Sequence, residues 1–221
     1  MKLSFVTLKI VLLSLLLAGC GESAWINMKL VIQDNFFKPD NEDAIIKRET
    51  IDNIPYATIS INFESSDPSI MVLSYVNQGD QFQWVSSNDV SIITQYGRVV
   101  QTIGFDDDIL GTTIYGIDPL KENAHLLKKS VKYNRIVRIG GDDPWQINLR
   151  CEVVPEGPEQ ITIVELEFDT VRLSEKCKGV KWWSFKNIYW VDANDGKVWR
   201  SIQALFENEP RMELNTLKPY G

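Results

Sequence analysis

Residues 57–63 read Ala-Thr-Ile-Ser-Ile-Asn-Phe, and this stretch decides the fold class. Apolar and polar side chains alternate with a period of two, the pattern of a strand with one buried face. Similar runs predict strands at residues 70–76, 81–86, 90–95, 98–103, 112–115, 131–139, 146–154, 159–173, 182–191 and 197–206. Turn strings such as Asn194-Asp195-Gly196 separate several of them. About ten strands at hairpin spacing predict a mainly β protein whose antiparallel sheet must curl or close to protect its edges.

Few segments predict helix. An amphipathic helix is expected over residues 25–37 and a short one over residues 44–51. A third is expected to begin at Asp118, with Pro119 as its first residue. The tail from Asn208 contains two prolines and is expected to be irregular. With no repeat or linker in mid-chain, we expect a signal peptide (1–19), a lipidated tether (20–25) and one β-rich periplasmic domain (26–221).

The N-terminus carries an export signal. Residues 1–19 combine a positive start, a short apolar run and small residues, and the run is shorter than the roughly 20 residues of a membrane-spanning helix. Residues 17–20, Leu-Ala-Gly-Cys, resemble the bacterial lipobox, which implies cleavage before Cys20 and lipid attachment to its thiol. An ordinary signal peptide with a free cysteine is the alternative. By analogy with enteric lipoproteins, Gly21 in place of aspartate implies transfer to the outer membrane.

The charge balance argues against nucleic acid as a ligand. The net charge is −7, and it becomes −9 once the signal peptide with Lys2 and Lys9 is removed. An acidic surface repels phosphate backbones and anionic lipid headgroups. A composition of 44% apolar and 24% charged residues excludes a disordered or fibrous protein.

Two cysteines remain if Cys20 is lipidated. Cys151 and Cys177 can pair in only one way, and an oxidising periplasm favours a disulfide, which could add about 3 kcal/mol to stability. The charged stretch around Cys177, residues 174–179, predicts a surface turn. Two buried, unpaired thiols are the alternative.

Catalytic and metal-binding patterns are weak. The single histidine, His125, has no nucleophile-elbow motif beside it, which favours a surface histidine. Residues 106–108, Asp-Asp-Asp, lack the spacing of a calcium loop and predict a solvated acidic turn. Residues 140–143, Gly-Gly-Asp-Asp, carry no following lysine and indicate a turn rather than a phosphate loop. We therefore expect no catalytic residue, no cofactor and no metal.

Tryptophan side chains are the candidate binding residues. Their flat apolar faces can stack on the C–H groups of sugars or anchor a protein partner. Most such rings are expected to belong to the core. The candidate glycan or partner contacts are Trp84, Trp145, Trp183 and Trp199.

Several strings follow the lipobox in order. They are Ile54-Pro55-Tyr56-Ala57, Gln83-Trp84-Val85-Ser86, residues 96–104 (Tyr-Gly-Arg-Val-Val-Gln-Thr-Ile-Gly), Tyr189-Trp190-Val191-Asp192 and residues 196–201 (Gly-Lys-Val-Trp-Arg-Ser). With this ordered set, the chain resembles the YjbF/GfcB family of outer-membrane lipoproteins from enterobacterial capsule and exopolysaccharide operons. The resemblance covers nearly the full length.

That resemblance implies a pseudo-barrel or half-barrel sheet, with some similarity to the half-barrel of lipoprotein carriers. It also implies a lipid-anchored protein on the periplasmic face of the outer membrane, acting as a non-enzymatic accessory factor in exporting or assembling a group 4-type capsule or another exopolysaccharide. Implied partners are export proteins of the same operon, including an outer-membrane barrel-like protein, and the polysaccharide. Cys20 is the only family site residue carried over.

Two other functions stay open. A half-barrel could enclose a dry cavity and carry apolar, lipid-like ligands. A polysaccharide-modifying enzyme would need two acids, or a serine with His125, converging in a cleft.

Overall fold

A computed structural model describes residues 46–221, except positions 65, 122, 142–143 and 180–182. The predicted signal peptide, Cys20, the tether and the predicted helix at residues 25–37 lie outside the described residues. Within the described part, no helix combines the length and apolarity needed to cross a membrane.

Twelve strands and little helix make up the described part of the chain. The strands are β1 (Thr58–Phe63), β2 (Ser69–Asn77), β3 (Gln81–Val85), β4 (Ser91–Gln95), β5 (Arg98–Ile103), β6 (Ile109–Tyr115), β7 (Val131–Ile139), β8 (Trp145–Ile163), β9 (Leu166–Gly179), β10 (Ser184–Asp192), β11 (Val198–Gln203) and β12 (Met212–Lys218). A short helix, α1 (Arg48–Asp52), precedes β1 and overlaps the segment 44–51 that was predicted to be helical.

All twelve strands form one antiparallel sheet in the order β5-β4-β3-β2-β1-β12-β11-β10-β9-β8-β7-β6. The two end strands, β5 and β6, follow each other in the chain, and a tight turn at residues 104–108 joins them. There the backbone N–H of Ile109 donates to the hydroxyl of Thr102 at 2.8 Å. The sheet is therefore a nearly closed, barrel-like structure, which confirms the predicted fold class.

The core fills the barrel interior, and alternation along each strand decides which residues reach it. In β7, Tyr133, Arg135, Val137 and Ile139 are buried, while the residues between them lie on the outer face. Burial of each large apolar side chain contributes about 1.5–3 kcal/mol. The least exposed core residues include Met71, Ile92, Val153, Leu173, Tyr189 and Met212.

The predicted strand at residues 159–173 is wrong at its centre. β8 and β9 form one long hairpin, and its turn lies at Val164 and Glu165. Both residues have positive φ angles, 41° and 70°, a region that β-branched and charged residues seldom adopt. Sequence rules missed this turn because it lacks the usual glycine or asparagine.

The tail from Asn208 was predicted to be irregular, and this prediction is wrong because the tail contains β12. This strand pairs with both β1 and β11 and so joins the two halves of the sheet. Its alternation holds for Met212 and Leu214, but the register shifts where the strand faces Thr58 and Ile59. Because the bulge moves the next buried residue to Leu217, the sequence pattern was too short to detect.

Cys151 and Cys177 face each other in the β8–β9 pair and form a disulfide. The predicted surface turn around Cys177 is wrong, because residues 174–179 are strand. Cys177 and Glu175 point into the barrel, with 2% and 0% of their surface exposed. The lysines of this stretch alternate with them on the outer face, so a high charge density does not mark a turn here.

The helix predicted to begin at Asp118 does not form. The Asp118 carboxylate accepts a hydrogen bond from the N–H of Leu120, as a helix cap would, but the chain makes only a turn at this point. Asn123 has a φ of 53°, which interrupts any helix. Only the 3-10 segment Ala124–Leu126 follows it.

Candidate functional site

Two sizeable pockets open at opposite ends of the described barrel. Phe63, near the end of β1, lines one of them, and Ile59, near the start of the same strand, lines the other. Both pockets are therefore built from strand ends and the loops that connect them. We call the first the acidic pocket and the second the tyrosine pocket.

The acidic pocket has a volume of about 430 Å³ and an aromatic wall. Its aromatic residues are Phe63, Phe105, Trp145, Trp183 and Phe206. The floor consists of Ile139, Ile147 and Leu205, which are almost fully buried. Half of the surface of Trp145 is exposed, so this ring is available to a ligand.

Four carboxylates surround this wall. They are Asp106 and Asp107 from the β5–β6 turn, with Glu207 and Glu209 from the β11–β12 loop. Within the described part of the chain, none of the four makes a hydrogen bond or ion pair to a neighbouring side chain. Their oxygens are free to accept hydrogen bonds from a ligand.

The third aspartate of the turn fixes the loop that presents the first two. The Asp108 carboxylate accepts hydrogen bonds from the Thr102 hydroxyl (2.8 Å) and from the backbone N–H groups of Gly104 (3.0 Å) and Phe105 (3.3 Å). Asp106 and Asp107 remain exposed. The run is thus an ordered turn with two free carboxylates, rather than three equally solvated acids.

The tyrosine pocket measures about 330 Å³, and its wall is mainly apolar. Its aromatic residues are Phe82, Trp84, Tyr96 and Tyr220. Polar groups in the wall bond to one another: the Trp84 indole N–H donates to the Thr94 hydroxyl at 2.8 Å, and the Thr216 hydroxyl donates to the carbonyl of Val198. The charged residues at its rim balance in sign, and they are Asp80, Lys121, Asp195 and Lys197.

The structure separates the four predicted tryptophan contacts. Trp145 and Trp183 come together in the acidic pocket, and the buried Trp84 lines the tyrosine pocket. Trp199 lies in neither pocket: it stacks on Phe168 with ring centres 4.1 Å apart. Whether any of these rings contacts a glycan or a partner stays a prediction.

Sequence reasoning missed a buried ionic cluster inside the barrel. One carboxylate oxygen of Glu175 contacts a guanidinium nitrogen of Arg98 at 3.0 Å, and the other contacts a guanidinium nitrogen of Arg135 at 3.4 Å. Asn187 donates to the same carboxylate at 2.6 Å, and Tyr133 donates a further short hydrogen bond. The cluster therefore connects β5, β7, β9 and β10.

A second carboxylate ties the cluster to the segment between β6 and β7. The other end of the Arg98 guanidinium contacts the Asp118 carboxylate at 3.0 Å. Because Asp118 also accepts the N–H of Leu120, this pair fixes the segment that borders the tyrosine pocket.

The electrostatics of the cluster keep Glu175 ionised. Burial alone would raise the pKa of this carboxyl, but the charges of Arg135 and Arg98 and the hydrogen bond from Tyr133 outweigh burial and hold the pKa at about 2. Burial raises the pKa of the Tyr133 and Tyr189 hydroxyls, so both stay protonated at neutral pH. The chemistry of this cluster is thus that of fixed charges rather than proton transfer.

One sequence signal could have revealed these residues. Arg135 lies two residues from both Tyr133 and Val137, in the row of buried side chains of its strand. Glu175 lies two residues from both Leu173 and Cys177 in the same way. A charged residue in phase with a buried row predicts a partnered charge inside the sheet. Arg98 carries no such signal, because it begins its strand directly after the Gly97 turn.

The other sequence candidates show no convergent arrangement. His125 lies half-buried near Gly196, and its Nδ1 has no hydrogen-bond partner. It makes no hydrogen bond to a serine or a carboxylate among the described residues. Over the same residues, no group of three or more His, Cys, Asp or Glu side chains is arranged to hold a metal ion.

Comparisons with known proteins agree on one family. The model of the family described as group 4 capsule polysaccharide lipoprotein gfcB, YjbF matches residues 7–217. In Escherichia coli K12, the uncharacterized lipoprotein GfcB is 27% identical over 210 residues, which cover 93% of this chain and 95% of that protein. The uncharacterized lipoprotein YjbF of the same organism is 24% identical over 208 residues, covering 89% and 90%.

A solved structure shares the fold. The crystal structure of the hypothetical lipoprotein YmcC from Escherichia coli K12 superposes with a TM-score of 0.72 at 25% identity, and the match covers 81% of this chain and 92% of that chain. The family model spans nearly the whole chain, and the relatives align over most of their own length. This chain therefore belongs to the YjbF family of group 4 capsule polysaccharide lipoproteins.

Proposed function

We propose that this lipoprotein is anchored in the outer membrane by lipid on Cys20, faces the periplasm, and acts without catalysis as an accessory factor in the export or assembly of a capsule or other exopolysaccharide. The family description supplies the link to polysaccharide. In this proposal, the acidic pocket is where the chain binds the polysaccharide. Export proteins encoded in the same operon are the proposed protein partners.

The composition of the acidic pocket carries the proposal. An aromatic face stacks on the apolar C–H face of a sugar ring, and a carboxylate accepts hydrogen bonds from sugar hydroxyls. Half-exposed Trp145 supplies the first contact, and the free carboxylates of Asp106, Asp107 and Glu207 supply the second. The volume of about 430 Å³ lies in the range of small-molecule sites and fits one or two sugar residues of a longer chain.

A binding measurement on matched variants tests this site. Fragments of exopolysaccharide purified from the producing cells are titrated into the detergent-solubilised full-length protein by isothermal calorimetry. Trp145→Ala should weaken binding about tenfold, because truncation of an aromatic contact residue typically costs more than 1 kcal/mol. Tyr115→Ala is the control, since this half-exposed ring lies outside both pockets.

The two variants separate the possible outcomes. Equal weakening in both would mean that the effect is general destabilisation rather than loss of a contact. If the wild-type protein binds no fragment, or if Trp145→Ala binds as well as wild type, the acidic pocket is not the glycan site.

The anchor and the cellular role need a test in cells. Cys20→Ser should abolish fractionation with the outer membrane and reduce surface polysaccharide to the level of a deletion strain. A deletion strain with unchanged polysaccharide output under inducing conditions would contradict the accessory role itself.

The tyrosine pocket favours a second candidate function, the binding of apolar, lipid-like ligands. Ile59, Leu120 and Leu214 form its buried floor, and its wall polar groups already have partners. An acyl chain added to the detergent-free protein should displace an apolar fluorescent dye from this pocket. Filling the pocket by Leu214→Phe should remove the dye signal; an unchanged signal in that variant would place the dye elsewhere.

A further inference from the structure

The charges that line the acidic pocket all have one sign. Asp106 and Asp107 enter from one loop, and Glu207 and Glu209 enter from another. No lysine or arginine among the described residues lines this pocket. The tyrosine pocket differs, because it has two lysines and two aspartates at its rim.

A buried cation close to the pocket does not offset this charge. Arg135 lies behind Trp183, in a small void that shares Trp183 and Leu205 with the acidic pocket. Its guanidinium already contacts the carboxylate of Glu175, and its side chain is only 6% exposed. Among the described residues, a ligand in the pocket therefore meets carboxylates without a compensating basic group.

Repulsion between carboxylates decides what such a pocket can bind. A ligand carboxylate at about 6 Å from a protein carboxylate loses roughly threefold in affinity for each such pair, even at the dielectric constant of water. The loss grows in a partly enclosed pocket and is reduced by salt. A sugar hydroxyl at the same place instead donates a hydrogen bond to the carboxylate.

We propose that the acidic pocket selects uncharged sugar residues and rejects residues that bear carboxylate, phosphate or sulfate groups. This inference rests on the proposed function, since it names the class of sugar bound at the same site. On an acidic polysaccharide, the pocket would bind the neutral residues and leave the charged ones outside.

The test compares two chemical forms of the same ligand. In one form of the exopolysaccharide fragments, carboxyl reduction leaves every C6 position as the primary alcohol. In the other form, C6 positions are oxidised to carboxylates. Each form is titrated into the solubilised full-length protein with a chelator present, at low and at high salt. We expect the alcohol form to bind at least tenfold more tightly at low salt, with a smaller difference at high salt.

Charge-neutral variants locate the effect. Asp106→Asn with Asp107→Asn should reduce the preference for the alcohol form several-fold, because asparagine keeps an acceptor oxygen but removes the charge. The control, Glu165→Gln with Glu167→Gln, removes two charges at exposed positions outside both pockets. It should leave the preference unchanged and so excludes an effect of net charge.

The outcomes distinguish this inference from the proposed function. If both forms bind equally, or the carboxylate form binds more tightly, the charge selectivity is wrong while glycan binding stands. The same holds if the control pair shifts the preference as much as the pocket pair. If neither form binds, the proposed glycan site itself is wrong.

Discussion

Replacing Glu175 by glutamine would leave two arginines inside the barrel without their shared carboxylate. Glu175 is fully buried, and Arg98 and Arg135 are nearly so. A glutamine of similar shape keeps the packing and can still bond to Asn187, but it cannot neutralise either guanidinium. The variant therefore isolates the charge of the cluster from its volume.

The expected loss of stability follows from the burial of both partners. Removing one member of a buried ion pair costs about 3–5 kcal/mol, because an uncompensated charge remains in a medium of low dielectric constant. Domains of this kind are stable by about 5–15 kcal/mol in total. We therefore expect Glu175→Gln to lose a large share of its stability and to be close to unfolding at 37 °C.

Urea unfolding followed by tryptophan fluorescence measures this loss. The matched control is Glu156→Gln, since Glu156 pairs with Lys186 at 2.9 Å on the outer face, where 32% of its side chain is exposed. That change should cost less than about 1 kcal/mol. Both variants are measured with the disulfide intact, so that the denatured state is comparable.

A milder variant protects the test against failure to fold. Tyr133→Phe removes the hydroxyl that donates to Glu175 and accepts from Arg98, keeps every charge of the cluster, and should cost about 1–2 kcal/mol. The buried charges do not stabilise this barrel as argued if the free energy of unfolding of Glu175→Gln lies within about 1 kcal/mol of that of wild type. The same conclusion follows if Glu156→Gln loses as much stability as Glu175→Gln.

Three further substitutions and one pH series extend these tests. Replacing Cys151 and Cys177 by alanine should cost about 3 kcal/mol, measured as a lower urea midpoint than that of the oxidised wild type. Gly97→Ala should cost more than about 2 kcal/mol, because its φ is 75° and the added carbon would lie 2.4 Å from a valine side chain. Gly157→Ala, also at positive φ but with open space around it, should cost about 1–2 kcal/mol; equal losses would contradict the steric argument. Glu175 has a pKa of about 2 against an ordinary 4.5, so its contribution is complete above pH 4.5 and is lost as the pH falls toward 2. In Glu175→Gln the free energy of unfolding should fall less steeply over this range; the same slope as wild type would assign acid sensitivity to other groups.

The two ends of the barrel offer different surfaces to the periplasm that we propose surrounds it. One presents free carboxylates around aromatic rings, and the other presents an apolar cavity whose polar groups are already bonded. The ionic cluster lies between them and connects strands from both halves of the chain. One barrel therefore carries two pockets of different chemistry.

The sequence alone determined the fold class and most of the strands. Alternation at a period of two is a local property, and it predicted β5 and β7 at their observed bounds. Where a bulge or an unusual turn interrupted the alternation, as in β12 and at Val164–Glu165, prediction failed. Those positions depend on partners across the sheet, which a local pattern does not contain.

Only the tertiary structure decided which side chains meet. Asp106 and Glu207 stand far apart in the chain and line the same pocket because β12 joins β1 and the sheet curls back on itself. Trp145 and Trp183 were candidates of equal standing with Trp199, and the geometry of the barrel end brought the first two together. Strand formation depends on neighbours in sequence, whereas a pocket or a buried ion pair depends on neighbours in space. In this protein, Arg98 and Glu175, like the two loops that carry the pocket carboxylates, come together only when the sheet closes.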